Sequence, residues 1–165
     1  MSRAEVRDRA LSFDTQLVLI TGGEPLLQAA TLPLLTELCD ARRTVLLETS
    51  GERDIGKVDP RVRRIVDLKA PASGESARNR MQNIALLTAR DELKFVLKDR
   101  ADYVWARDLI AYERLIGRVH DILLSPVHGE LDPRELVSWT LADRLEVRVQ
   151  LQLHKYIWGK DAQGV

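Results

Sequence analysis

A short apolar run, Leu17-Val18-Leu19-Ile20, stops at Thr21-Gly22-Gly23-Glu24-Pro25, and the same passage from apolar strand to polar turn to helix recurs along the chain. That repeated junction is the strongest constraint on the fold. The run has the length and branched composition of a buried strand. Gly22-Gly23 lets the main chain turn and approach a ligand where a Cβ would block it, and Pro25 sets φ where a helix can begin. A second run, Thr44-Val45-Leu46-Leu47-Glu48, ends in Thr49-Ser50-Gly51. A third, Ile65 to Lys69, carries Asp67 and Lys69 before Pro71-Ala72-Ser73-Gly74 breaks it, residues 91–97 alternate, and Asp121-Ile122-Leu123-Leu124 runs into Ser125-Pro126-Val127. Helical periodicity covers 26–41, 76–89, 102–117 and 133–143, and the capping-box pattern Ser2 to Glu5 starts a helix near residue 3. Strands alternating with helices at this spacing predict parallel βαβ units and an α/β domain, layered or barrel-like.

The segment 146–154 reads as a final strand. Val147, Val149, Leu151 and Leu153 share one face, and Arg148, Gln150, Gln152 and His154 share the other. A sheet covered by helices on both faces does not ordinarily bury such a polar row, so this face lines a polar cavity or an exposed edge. The same period puts Asp67 with Lys69, and Glu92 with Lys94, on single faces; in a barrel those faces converge on the lumen, with ligands at the C-terminal strand ends. Plainer roles compete. Glu92 and Lys94 also suit a solvated cross-strand pair, Asp67 and Lys69 suit caps, and His154 near the chain end suits a structural place as well as acid–base work. His120 and His128 have no partner at ligand spacing and are not read as metal ligands. Trp105, Trp139 and Trp158 are scattered, as core or interface residues are.

Composition narrows the class. A chain of 165 residues with 45% hydrophobic and 30% charged residues is expected to form one domain over 1–165. Lys+Arg and Asp+Glu both number 25, which removes the general electrostatic case for nucleic acid or an anionic membrane as partner. The apolar runs are strand-sized and Met1-Ser2-Arg3-Ala4-Glu5 lacks a signal-peptide core, so the expected location is cytoplasmic. The single cysteine, Cys39, excludes an internal disulfide and any multi-cysteine site; its helical pattern assigns it to core packing.

Taken together and in order, several segments resemble 7-carboxy-7-deazaguanine synthases, radical S-adenosylmethionine (SAM) enzymes of the queuosine and 7-deazapurine pathway. They are Thr21-Gly22-Gly23-Glu24-Pro25-Leu26-Leu27-Gln28, Glu48-Thr49-Ser50-Gly51, Asp67-Leu68-Lys69, Asp91 to Val96, Leu124-Ser125-Pro126-Val127 and Leu151-Gln152-Leu153-His154-Lys155-Tyr156-Ile157-Trp158. Gly-Gly-Glu-Pro is general to radical SAM proteins, whereas the C-terminal segment is more specific to this family. The resemblance implies a partial (β/α) TIM-like barrel, usually dimeric, that converts 6-carboxy-5,6,7,8-tetrahydropterin to 7-carboxy-7-deazaguanine with loss of ammonia. It also implies SAM, a [4Fe-4S] cluster, Mg²⁺ and an external electron donor such as flavodoxin. By resemblance, Gly22, Gly23 and Glu24 present backbone groups to the methionine moiety of SAM. Asp67, Lys69 and Ser125 line the rest of that pocket with support from Glu48 and Ser50, and Thr21, Gln152 and His154 lie toward the pterin.

The family's cluster-binding Cys-x₃-Cys-x₂-Cys loop, its Mg²⁺-ligating threonine and its first barrel strand have no counterpart in these residues. The expectation is therefore a synthase represented by its C-terminal three quarters or so, inactive by itself, with an exposed sheet edge. The alternative is a SAM- or pterin-binding regulatory protein, or one half of a split enzyme.

Overall fold

Strand β1 (Leu17–Ile20) is followed by β2 (Thr44–Thr49), β3 (Arg63–Lys69), β4 (Glu92–Leu97), β5 (Asp121–Pro126) and β6 (Arg148–Val149), with helices α1 (Arg3–Leu11), α2 (Thr31–Asp40), α3 (Arg100–Tyr112), α4 (Pro133–Ala142) and α5 (Leu153–Trp158). This computed structural model describes residues 1–159. All six strands are parallel and lie in chain order, β1-β2-β3-β4-β5-β6. When spatial order equals chain order and crossovers share one hand, every connection returns over the same face. The core is built accordingly: Leu35 and Leu38 of α2, Tyr103, Ala106 and Ile110 of α3 and Leu136 of α4 pack on Val45, Leu47, Val66, Leu68, Leu93, Phe95 and Leu124. Burying each of the larger side chains stabilises the fold by about 1.5–3 kcal/mol. The alternate residues, Glu48, Asp67, Lys69, Glu92 and Lys94, stay partly accessible on the opposite face. That open inner wall makes the sheet a partial (β/α) barrel.

Helix boundaries depart from simple periodicity at identifiable residues. The stretch expected as one helix over 26–41 is a 3₁₀ turn at Pro25–Leu27 followed by α2. Pro33 explains the split. In a helix begun at residue 26 it would sit in the interior and remove a hydrogen bond, whereas in α2 it falls in the first turn, where the N–H has no intrahelical partner. The expected helix over 76–89 is replaced by two 3₁₀ segments, Ser76–Arg78 and Met81–Leu86. Here Asn79 and Asn83 bond distant backbone instead of joining a helix, in keeping with asparagine's competition for main-chain groups.

The final strand is also shorter than expected, only Arg148–Val149 in place of 146–154. In a parallel ladder the next donor after Leu124, which accepts from Gln150 N at 2.9 Å, would be the N–H of residue 126. Pro126 has none. The Gln150 carbonyl instead accepts from Ser125 Oγ at 2.6 Å, and the chain leaves the sheet and coils into α5. Val147 and Val149 still pack on the core, while Leu153 is exposed. At the other edge, among the described residues, β1 pairs with β2 alone, the exposed sheet edge expected from the sequence, and Leu17 and Leu19 are open to solvent.

Candidate functional site

The loop after β1 is tied to the end of β2 by one carboxylate. Glu24 Oε1 accepts from Leu26 N at 2.9 Å and from Thr49 Oγ1 at 2.8 Å; Oε2 accepts from Ser50 N at 2.7 Å, Ser50 Oγ at 2.6 Å and Thr49 Oγ1 at 2.9 Å. Burial acts to raise the Glu24 pKa, but the hydrogen bonds from Ser50, Leu26 and Thr49 outweigh it and hold the carboxyl below its ordinary value. The side chain is thus a clamp with its lone pairs occupied. What it holds in place is Gly22-Gly23, whose backbone faces open space: no atom lies within 4 Å of a Cβ built on either glycine, and Gly22 has φ +137°. Gly51 is required for a different reason. Its φ is +70°, and an added Cβ would meet Val66 Cγ1 at 2.7 Å.

Three adjoining clefts open at the C-terminal strand ends. Gly23, Glu24, Ser50, Lys69 and Asn79 are among the residues lining the first, of about 290 Å³. Lys69 is shared with the second, about 430 Å³, which also takes in Asp67, Lys94, Asp102 and Gln152. Lys94 and Gln152 are shared with the third, about 310 Å³, where Glu48, Ser125, Gln150 and His154 meet. Thr21 lies on a further groove of about 290 Å³ with Gly22 and Gly23. The inner-wall cations are held by carboxylates: Lys69 Nζ to Asp67 Oδ2 at 2.9 Å, and Lys94 Nζ to Glu48 Oε1 at 2.7 Å. Lys94 thus reaches across β3 to Glu48 and does not pair with Glu92. Charge-assisted bonds of this kind fix the ammonium groups while leaving them donors to spare.

Three residues with no motif set the rims. Asn79 donates to Lys69 O at 2.8 Å and accepts from Lys69 N at 2.9 Å, so it continues the edge of β3 in place of a strand. Asn83, fully buried, donates to Gly51 O at 2.8 Å and Arg53 O at 2.7 Å and accepts from Ile55 N. Asp102 is buried and accepts from Ala72 N at 3.0 Å and Lys98 N at 3.1 Å, joining the loops after β3 and β4.

The whole chain aligns with the 7-carboxy-7-deazaguanine synthase of Chlorobaculum tepidum at 49% identity over 168 residues, covering 100% of this chain and 76% of that protein. The chain belongs to the 7-carboxy-7-deazaguanine synthase family. The synthase of Koribacter versatilis is 44% identical over 162 residues, covering 90% of this chain and 72% of the relative, and that of Thermoplasma acidophilum is 33% identical over 150 residues, covering 90% and 69%. No family model matches the chain. Among solved structures, Streptococcus suis SuiB bound to S-adenosylmethionine superposes with a TM-score of 0.54 at 13% identity, over 88% of this chain and 42% of SuiB. At that identity the likeness establishes the shared fold.

In this synthase-family chain the strand ends bring Gly23, Glu24, Ser50 and Lys69 into one cleft, Asp67, Lys69 and Gln152 into the next, and Glu48, Ser125, Gln152 and His154 into the third. Thr21 stands apart, on the β1 side of Gly22-Gly23. His154 is placed by α5 and not by a strand, and it is exposed. His120 Nε2 is 3.7 Å from Oδ2 of the adjacent Asp121, and the fold adds Glu92, so that donor atoms of Glu92, His120 and Asp121 lie within 4.8 Å of one another at the opposite end of the sheet. Arg148 already engages Asp121 there. His128 packs edge-on against Tyr156 and Trp105 edge-on against Phe95, while Trp139 packs at a tilt against Tyr103. Trp158 is exposed. Cys39 is buried on α2, where burial first and the Asp59 carboxylate second push its thiol pKa up. It is a packing residue. Among the described residues no helix is long and apolar enough to cross a membrane.

Proposed function

We propose that this chain is the SAM- and pterin-binding part of a 7-carboxy-7-deazaguanine synthase, a radical SAM lyase that converts 6-carboxy-5,6,7,8-tetrahydropterin to 7-carboxy-7-deazaguanine with loss of ammonia. The carrying observation is the 49% identity across the full chain to the Chlorobaculum tepidum synthase. In this reading residues 1–165 are one domain of a cytoplasmic homodimer, with 160–165 outside the described residues. The methionine moiety of SAM lies along the backbone of Gly22, Gly23 and Glu24, bordered by Glu48, Ser50, Asp67, Lys69 and Ser125. Thr21, Gln152 and His154 face the pterin. Glu24 acts through position, because its carboxylate is already saturated. Lys69 and Lys94 hold spare N–H donors on the inner wall, suited to the carboxylates that both ligands carry.

The implied [4Fe-4S] cluster does not fit the residues of this chain. Iron–sulfur clusters need several thiolates, and the single cysteine is buried on the helix-covered side of the sheet. Nor do the described residues place a metal-ligand group among the three clefts; the one such grouping lies at the other end of the strands. The role proposed for these residues is therefore binding, orientation and exclusion of water, with cluster, Mg²⁺ and a flavodoxin-type electron donor meeting them in the active enzyme. The lone cysteine equally favours a second reading, a binding protein without turnover or one half of a split enzyme.

Gly23→Val tests the shared core of both readings. No atom crowds a Cβ at residue 23, so the variant keeps its melting temperature while its side chain fills the cleft. Calorimetry under anaerobic conditions is expected to show saturable SAM binding by the natural chain and a loss of at least tenfold in the variant. No SAM heat with the natural chain overturns the proposal.

A further inference from the structure

We propose that Glu92, His120, Asp121 and Glu146 form a site for a divalent transition ion of the zinc type at the N-terminal ends of β4 and β5, the opposite end of the sheet from the three clefts. Donor atoms of Glu92, His120 and Asp121 all lie within 4.8 Å of one another, and His120 Nε2 is 3.7 Å from Asp121 Oδ2. Ligand atoms about 2.0–2.1 Å from a tetrahedral zinc are roughly 3.4 Å apart, so small side-chain rotations close the group around one ion. Parallel pairing sets Glu92 and Asp121 side by side on neighbouring strands. His120 N donates to Asp91 O at 2.8 Å, which fixes the histidine's main chain beside the start of β4. Glu146, in the segment entering β6, lines a cleft of about 170 Å³ with His120 and Asp121 and brings the fourth ligand.

Like charges directly opposite on neighbouring strands repel, so Glu92 and Asp121 call for a counter-charge. The chain's own cations answer only part of this. Lys94, next on the Glu92 face of β4, is held by Glu48 at 2.7 Å, and Arg118 donates to the carbonyls of Glu113 and Ile84. Arg148 engages the group through one oxygen, Asp121 Oδ2, and leaves Oδ1 for the ion. Three carboxylates against one guanidinium leave two negative charges, which a single divalent ion balances. The donor set then selects the ion. An imidazole suits zinc and its neighbours in the first transition row, whereas Mg²⁺ prefers an octahedron of oxygens. With four ligands from the chain the ion is structural. It ties β4 and β5 to the segment entering β6, a strand of only two residues whose continuation carries Gln152 and His154.

Zinc chloride titrated into the metal-stripped full chain, in competition with a chromogenic chelator, tests the proposal. The natural chain should bind one equivalent with a Kd below about 1 µM, looser than a zinc finger, and its melting temperature should rise when the site is filled. Millimolar Mg²⁺ should not displace the zinc. His120→Asn and Glu92→Gln should each weaken zinc by about tenfold or more and remove the rise in melting temperature, while His128→Asn leaves both unchanged. Should these variants fail to fold, Co²⁺ in the natural chain carries the test: intense visible bands of a four-coordinate ion support the site, and the weak bands of an octahedral ion overturn it. A Kd weaker than about 100 µM, binding of several ions without a fixed ratio, or equal losses in His120→Asn and His128→Asn also overturns it. The synthase reading stands apart from every one of these outcomes, because the SAM titration decides it.

Discussion

Two aspartates of one sheet mark the contrast between its ends. At the N-terminal end Asp91, 1% exposed, accepts from Arg64 N and Nε at 3.0 Å each, from Arg64 Nη2, and from Thr88 N at 2.8 Å and Oγ1 at 2.9 Å. At the C-terminal end Asp67, in register with Lys94, bonds Lys69 through one oxygen and leaves the other bare. Both carboxylates are sheltered on adjoining β segments. One is closed by its own chain and the other is left for something else to close. Burial therefore does not distinguish a structural carboxylate from a candidate binding one here; saturation does. Glu24 sharpens the lesson, since it sits among the clefts yet is as fully bonded as Asp91.

The largest expected effect lies at the closed end. Asp91→Ala leaves Arg64, itself only 12% exposed, without its partner and is expected to destabilise the fold by about 3–5 kcal/mol in denaturant titration. A cost under about 1 kcal/mol would break the contrast.

Glu24 comes next. Glu24→Gln should cost about 1–2 kcal/mol near neutral pH, because hydrogen bonds to an ionised acceptor are replaced by weaker ones. Its folded pKa lies below the unfolded one, so its contribution is complete above the ordinary glutamate range and fades as pH falls through the folded value. Urea midpoints followed from neutral pH into acid should show a shallower decline in Glu24→Gln than in the natural chain. Parallel curves would detach Glu24 from the clamp.

Asp67→Asn should have the smallest effect on stability, less than about 1 kcal/mol, because only a partly exposed pair with Lys69 is weakened. A loss as large as that of Asp91→Ala would make Asp67 a structural residue and erase the difference between the two ends.

Much of this was readable along the chain. The α1 capping box is present as expected, with Ser2 and Glu5 bonding each other's backbone. The strands at 17–20, 44–49, 63–69, 92–97 and 121–126 match their apolar runs, since residue alternation is a local property. Asp67, Lys69, Glu48 and Lys94 fall on the inner wall for the same reason. The region 76–89 was misread because Asn79 and Asn83 serve backbone at β3 and after β2, partners that no helical pattern encodes. Two asparagines four apart, in a stretch otherwise rich in helix formers such as Ala77, Met81 and Leu86, were the one local sign against a helix. The C-terminal strand was overextended because Leu151 and Leu153 continue the alternation after Pro126 has ended the ladder.

The order of amino acids by itself determined where strands and helices alternate, that each strand ends in polar or glycine residues, and which side chains share a face, because periods of two and 3.6 residues act over a few positions. Tertiary structure alone decided which polar groups meet. Glu24 finds Thr49 and Ser50 across 25 and 26 residues, Lys94 finds Glu48 across 46, and Gln152 reaches the cleft lined by Asp67 from the far edge of the sheet. Those meetings depend on strand register and on proximity in space, which spacing along the chain does not carry.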